Sequence, residues 1–508
     1  MPTPGSRNRA CFITGSIMRH VLVMSGTGAI GLMAVFAVDM LNMIYISHLG
    51  STAMTAAIGF ASAVIGLQIA VAIGLTIGIS AVTAREIGAG NHHEAQAIAS
   101  SALTVTLIVT AILGLGTLVW ARPILALFGA RGDALDAATT YLRAVSTAMP
   151  LICMGMASSS LMRVVGDAKG SMNITLIGAV VAAVLDPLFI FGFHEGLTGA
   201  AISTLLSRLV VSIAGLRGAM RHDMLALPSL KRLLPDSRRV ANVALPAILT
   251  NLATPAGGVY VTSAMAGFGL EAVAGQASIE RMVPVLFALV FALTGSIGPI
   301  MGQNLGAGRY DRVNQTLTAA LKIVVMSVSL TWGFLICAQG LVVDIYSAHD
   351  EAAALIHLFC TWTIGSYLFV GMLFVANSAF NNLGFPLYST AFNWGRATLG
   401  TVPFVMAGER YGPLGVQAGQ AIGAVLFGTL AILTAFHVTR NLKTSSATST
   451  NIMARTPESV PVSDIPTTSA EAAMAELDDV ESVGIVYTQD RMSRDVEADS
   501  RRTQRPPR

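Results

Sequence analysis

Charge is what this chain has least of. Only 12% of its 508 residues are Asp, Glu, Lys or Arg, against 53% hydrophobic, with a mean hydropathy of +0.66. That balance excludes a soluble multidomain protein and points to a chain that crosses a lipid bilayer many times. Aromatic residues are also scarce at 6%, while glycine numbers 49, so the apolar runs are built from Ala, Val, Leu and Ile broken by small residues. Small residues suit close helix packing where lipid supplies no hydrophobic drive. The four cysteines (Cys11, Cys153, Cys337, Cys360) have no Cys-x-x-Cys spacing, and three lie inside apolar runs, so they read as packing residues. The spans hold no Ser-x-x-Lys pair, no His-Glu-x-x-His and no acidic metal motif, which argues against a membrane enzyme. His92-His93-Glu94 reads as a solvated turn. No metal, cofactor or nucleic-acid partner is expected. A cleavable signal is not expected either, because the first apolar run, roughly 21 to 47, is too long for a signal core.

What the chain does have is repetition. Glu86-Ile87-Gly88-Ala89-Gly90 recurs 218 positions later as Asn304-Leu305-Gly306-Ala307-Gly308, and Phe128 with Tyr346, then Gly166 with Gly384, keep that spacing. Further on the offset slips to 216, where Pro187, Gly192, Gly196 and Gly199 recur as Pro403, Gly408, Gly412 and Gly415. A duplicated unit in an apolar chain is the usual construction of a secondary transporter with its site at the repeat interface. At about 20 apolar residues per crossing, twelve spans are expected, near 21–47, 53–84, 95–120, 139–163, 171–193, 197–219, 240–266, 273–303, 312–338, 356–380, 387–408 and 414–438. The fold class is therefore an all-α polytopic membrane protein of twelve transmembrane helices in two pseudo-symmetric six-helix lobes. The expected division is an N-terminal segment 1–20, an N-lobe 21–220, a basic linker 221–239, a C-lobe 240–440 and a disordered tail 441–508. From Thr444 that tail carries eleven acidic and seven basic residues among Ser, Thr and Pro.

Sixteen basic residues, among them Arg85, Arg163, Arg309, Arg312 and Arg239, flank one side of these spans, against Arg122, Arg131 and Arg410 on the other. The positive-inside rule then puts both termini and the linker in the cytoplasm of a multi-pass inner-membrane protein, expected to act as a monomer.

Acids inside spans are costly, at least ~2.5 kcal/mol each near the centre, and are usually retained for a reason. Asp39 in the first span and Asp186 in the fifth come out about 7 and about 6 Å beyond the midplane at 1.5 Å per residue, with Thr204 of the sixth at a similar depth. Neither acid recurs in the second repeat, where Gly258 and Val402 align. Two carboxylates in one low-dielectric layer can titrate near neutral pH, which is what proton coupling requires; the structural alternative is that each Asp only caps a broken helix or bonds a neighbouring hydroxyl, with Pro187 making this plausible at Asp186. Glu280 and Arg281 read as an interfacial or interhelical pair, and Arg143 and Arg208 as snorkelling residues. The candidate cleft-lining residues are Tyr141, Tyr260, Asn377 and Arg396.

These features converge on a resemblance over roughly residues 20–440. His48-Leu49-Gly50 with Met54-Thr55-Ala56-Ala57, the paired Gly-Ala-Gly turns, Gly166-Asp167-Ala168-Lys169, and Leu185-Asp186-Pro187-Leu188-Phe189-Ile190-Phe191-Gly192 are similar to motifs of the multidrug and toxic compound extrusion (MATE) family. The resemblance implies two lobes around a central cleft, expelling small organic compounds, amphipathic or cationic, in exchange for protons or sodium. It maps the fifth-span acid onto Asp186, a lobe-lining threonine onto Thr204, and the first-span acid position onto Asn42, one helical turn after Asp39. Asp39, Asn42, Asp186 and Thr204 are thus the expected ion-coupling set. Ala182 stands where relatives carry an asparagine, a loss that weakens a sodium site more than a proton site. Proton antiport is the favoured reading. Sodium antiport at the same site, or a flippase for lipid or polysaccharide precursors, is the alternative; a flippase would want several cations lining the cleft.

Overall fold

The computed structural model describes residues 10–47, 52–193 and 196–454. Every element among them is helical. The first half consists of α1 (Ile17–Ser47), α2 (Thr52–Gly88), α3 (His92–Leu127), α4 (Gly132–Ser146), α5 (Met149–Val164), α6 (Ala168–Pro187) continued by a π-helical turn Leu188–Gly192, and α7 (Gly196–Arg221). The second half consists of α8 (Leu230–Ala266), α9 (Leu270–Leu286), α10 (Ala288–Gly306), α11 (Tyr310–Ile345), α12 (Asp350–Thr361), a 3-10 turn Thr363–Ser366, α13 (Tyr367–Leu383), α14 (Pro386–Ala397), α15 (Val402–Gly408), a 3-10 turn Glu409–Tyr411, and α16 (Gly412–Ala454).

Grouped along the chain, these helices make twelve crossings, six per lobe, at the places expected. Several crossings are broken. The fourth is α4 and α5, bent by 44°; the eighth breaks at Phe287, the tenth at Trp362 and the eleventh between Ala397 and Val402. Taken singly, nine helices among the described residues are long and apolar enough to cross a bilayer, or ten with the bent pair counted as one. α8 falls outside that set because Pro235, Pro246 and Pro255 and a charged first turn dilute its apolar stretch.

Boundaries shift by a few residues for local reasons. α8 begins at Leu230, inside the expected linker, because its first turns dock on α3: Arg232 Nη2 meets Glu94 at 2.7 Å, Arg239 meets the same carboxylate at 3.0 Å, and Ser101 Oγ donates to Asp236 at 2.9 Å. At the start of α6, Asp167 is the N-cap, accepting from Gly170 N at 2.8 Å, while His222 Nε2 reaches its other oxygen at 2.9 Å. That is the physical content of the Gly-Asp motif: Gly166 turns the chain through φ +88° and Asp167 caps α6. α16 runs on to Ala454, past the expected lobe boundary at 440; the expected tail from 455 onward, and the His48-Leu49-Gly50 motif, lie outside the described residues.

The lobes meet through α1 on α10, α2 on α8 and α2 on α10. At the basic end of the bundle, where α2 stops and α11 starts, the two lobes touch through their turns. Gly88 and Gly306 explain the duplicated turn. A methyl on Gly88 would overlap the Gln303 carbonyl, and one on Gly306 the Arg85 carbonyl, so the two turns touch backbone to backbone across the lobe boundary. Arg85 Nε donates 2.8 Å to Asn382 O, at the C-terminal end of α13. Across this seam lies a strap, residues 11–15. Phe12 N donates to Gln303 Oε1 at 2.9 Å, and Arg312 donates to the carbonyls of Phe12, Thr14 and Gly15. Gln303 Nε2 in turn donates to Val164 O of the other lobe at 2.7 Å. The lobes are locked together at the basic end of the bundle.

Candidate functional site

The two intramembrane acids come together in the N-lobe. Asp186, in the last turn of α6, is 2% exposed and accepts from Ser203 Oγ of α7 at 2.5 Å. Asp39 of α1 is exposed. Both lie within electrostatic reach of each other and of Arg208, and Tyr141 of α4, itself buried, feels all three. Arg208 makes no ion pair with either acid among the described residues but lies within electrostatic reach of both, and its Nε is buried without a hydrogen-bond partner.

Thr204 is one residue off. Its hydroxyl donates to Ala200 O of its own helix at 2.9 Å, and the neighbouring Ser203 is the one that meets Asp186. Ser203 and Arg208 are the residues that sequence reasoning missed, although Ser203 and Ser207 beside Thr204 signalled a polar face on the sixth span. Asn42, one turn beyond Asp39, keeps a buried amide oxygen with no donor.

The backbone around Asp186 is built to move. Pro187 comes next, and the chain then winds through the π turn Leu188–Gly192. A π turn is a common mark of a functional site and weakens the regular ladder. Phe191 of that turn packs edge-on against Tyr45 of α1, with ring centroids 5.8 Å apart, linking the acid's helix to the C-terminal half of α1.

The cleft candidates of the C-lobe stand on three helices, α8, α13 and α14. Tyr260 lies near Glu409, while Asn377 is buried in α13 with its amide oxygen unpartnered. Arg396 of α14 donates to Thr254 Oγ1 at 3.2 Å, near Tyr367. Glu280 accepts from Gln276 at 3.0 Å and pairs with no cation among the described residues, so the expected ion pair is replaced by a bond within α9. Arg143 donates to Leu118 O at 3.1 Å.

A two-lobed bundle of broken helices, with a polar cluster in one lobe and a seam closed at one end, is the architecture of a multi-pass membrane transporter. The MatE family model matches the chain twice, over residues 29–188 and 246–406, and the chain belongs to that family. The two matches restate the internal repeat. Among curated proteins, the FAD transporter of Shewanella oneidensis is 28% identical over 449 residues, covering 87% of this chain and 99% of that one. The multidrug export protein MepA of Staphylococcus saprophyticus is 24% identical over 320 residues, 62% of this chain and 70% of that protein. Among solved structures, the Vibrio cholerae MATE transporter VcmN in the bent form has a TM-score of 0.79 at 22% identity, covering 84% of this chain and 98% of that one. An outward-facing multidrug resistance MATE transporter gives 0.80 at 22%, covering 87% and 99%.

Proposed function

We propose that this chain is a proton-coupled antiporter that exports small organic compounds, with Asp186 and Asp39 as the proton-carrying pair. The reading rests above all on Arg208. Two ionised carboxylates and one guanidinium leave one negative charge uncompensated, and a single proton neutralises it. A sodium ion would have to settle beside a permanent cation and find several oxygens, where Ser203 has turned its hydroxyl proton toward Asp186 and Ala182 offers no ligand. The geometry thus favours a proton over sodium.

On this reading the basic end faces the cytoplasm, and the closed seam there corresponds to a cleft that opens outward. Asp39, being exposed, receives the external proton and Asp186 holds it. Losing the negative charge at Asp186 weakens its bond from Ser203, and the π turn beside it relays the change through Phe191 to Tyr45 and α1. Bending of α1 then reshapes the N-lobe and frees the compound. On return to the inward-open state the proton leaves to the cytoplasm. One relative is named for FAD and another for multidrug export, so the cargo class common to both is a small organic molecule. Asn42, one turn beyond Asp39, is a supporting polar group, and Thr204 stays beside Ser203 on α7.

The test is efflux from proteoliposomes under an imposed pH gradient or an imposed sodium gradient. Proton-driven efflux that falls at least tenfold in Asp186→Asn, with the sodium gradient ineffective in the wild type, is expected. Sodium-driven efflux, or full activity of Asp186→Asn, refutes the assignment.

A further inference from the structure

Among the described residues, one guanidinium of the C-lobe has no acidic partner. Arg396, in the last turn of α14, is half-buried. Its Nη2 donates to the Thr254 hydroxyl at a long 3.2 Å, and its Nε is buried with no hydrogen-bond partner. Tyr367 supplies another hydroxyl nearby. Glu280, the acid that also acts on Tyr367, is engaged by Gln276 at 3.0 Å and makes no ion pair with Arg396 among the described residues.

The Nε and Nη2 corners form the edge by which a guanidinium grips two oxygens of a carboxylate or phosphate side by side. Here one corner is empty and the other holds only a hydroxyl. A cation withdrawn from water without a counter-charge destabilises the fold that carries it, so an arginine kept in that state is waiting for an anion. Thr254 is exposed and, because its oxygen accepts from Arg396, its own proton is free to donate to the same anion. Bracing α14 against α8 would need only the Thr254 bond and leaves the open Nε unexplained.

We propose that Arg396 anchors an acidic group, a carboxylate or phosphate, on the exported compound, with Thr254 as the second donor. The cargo is therefore an organic anion and not the cationic compound that the sequence resemblance suggests. This rests on the reading of the chain as an exporter with a central cleft, but not on which ion drives it. Anchor and proton-carrying acids stand in different lobes, so the proton displaces the cargo through the shape of the N-lobe and not by competing for one charge.

The test is equilibrium binding to the purified full chain in detergent, without any gradient, so a failure of proton coupling leaves it untouched. Riboflavin 5′-phosphate and riboflavin share one fluorescent ring and differ by a phosphate. The wild type is expected to bind the phosphate ester at least tenfold more tightly than riboflavin. Arg396→Gln should erase that preference while leaving riboflavin binding unchanged; Arg396→Lys, which keeps the charge but not the fork, should retain only part of it, and Thr254→Val should weaken it severalfold. Repeating the measurement in nanodiscs with and without anionic lipid separates the sources of the anion: a preference that disappears when anionic lipid is present assigns Arg396 to a lipid headgroup and overturns the proposal. No preference in the wild type, or equal losses for both flavins in Arg396→Gln and Arg396→Lys, also overturns it.

Discussion

Putting a methyl on Gly88 should pry the basic end open. The added carbon would overlap the Gln303 carbonyl oxygen, which is backbone and cannot rotate away. An ordinary C···O contact is about 3.3 Å or more, so the two turns must separate by roughly 1 Å. Three short bonds cross or brace that boundary: Arg85 Nε to Asn382 O at 2.8 Å, Gln303 Nε2 to Val164 O at 2.7 Å, and Phe12 N to Gln303 Oε1 at 2.9 Å. Stretched by that amount they pass out of hydrogen-bond range. If half of their net worth is lost, the sealed state loses about 2 kcal/mol, a shift of roughly 30-fold toward the state open at the basic end. Cys11 reports it. Its thiol is half-buried against the Gly166 backbone and donates weakly to Val165 O at 3.6 Å, so it reacts only when the strap lifts. With Cys153, Cys337 and Cys360 replaced, maleimide labelling of Cys11 should be at least tenfold faster in Gly88→Ala and in Gly306→Ala than in the parent, and transport should fall in both. Unchanged labelling together with full transport would show that the paired turns are not the seal.

The pH dependence of the same reaction is a separate expectation: burial pushes the Cys11 thiol from 9.0 up to about 11, so at pH 9 only roughly one strap in a hundred carries the reactive thiolate. Because the seated thiol holds its proton more tightly than a free one, its contribution to strap seating is full below pH 9 and is lost as pH rises toward 11; a labelling-rate profile that levels off near pH 9 instead of rising on toward 11 would contradict this. Phe191→Ala should cut the relay between the π turn and α1, lowering proton-driven efflux severalfold while equilibrium substrate binding is retained, and equal losses in both would mean that the Tyr45 contact only packs the lobe.

The fold was legible because a bilayer imposes a coarse rule. Twenty apolar residues make a crossing, and a repeat that keeps its register over two hundred residues makes two lobes. What the pattern could not show is where a crossing breaks. Hydropathy is blind to the kink between α4 and α5 and to the breaks at Phe287 and Trp362, because each leaves the apolar run intact and changes only the backbone direction. It missed the helical start of α8 for the opposite reason: Arg232, Asp236 and Arg239 read as a charged linker, and only tertiary pairing with Glu94 and Ser101 turns them into helix.

The site was legible to the level of a helix turn and no further. Asp186 was located by its cost: an acid in an apolar run before a proline stands out by itself. Its partner could not be named that way, since Ser203 and Thr204 are adjacent hydroxyls on one helix and only the rotation of α7 against α6 decides which of them faces the acid. Arg208 is the more instructive miss. A cation near a span end is ordinarily assigned to the interface because a long side chain can reach water. That inference leaves out the two acids within electrostatic reach of Arg208. The same consideration separates the lobes: among the described residues the N-lobe arginine has carboxylates within reach, and the C-lobe arginine pairs with none. Depth in the sequence set Arg396 deeper than Arg208 but did not show what either meets. What differs is the company each keeps in space, and it makes one a counter-charge and the other an open grip.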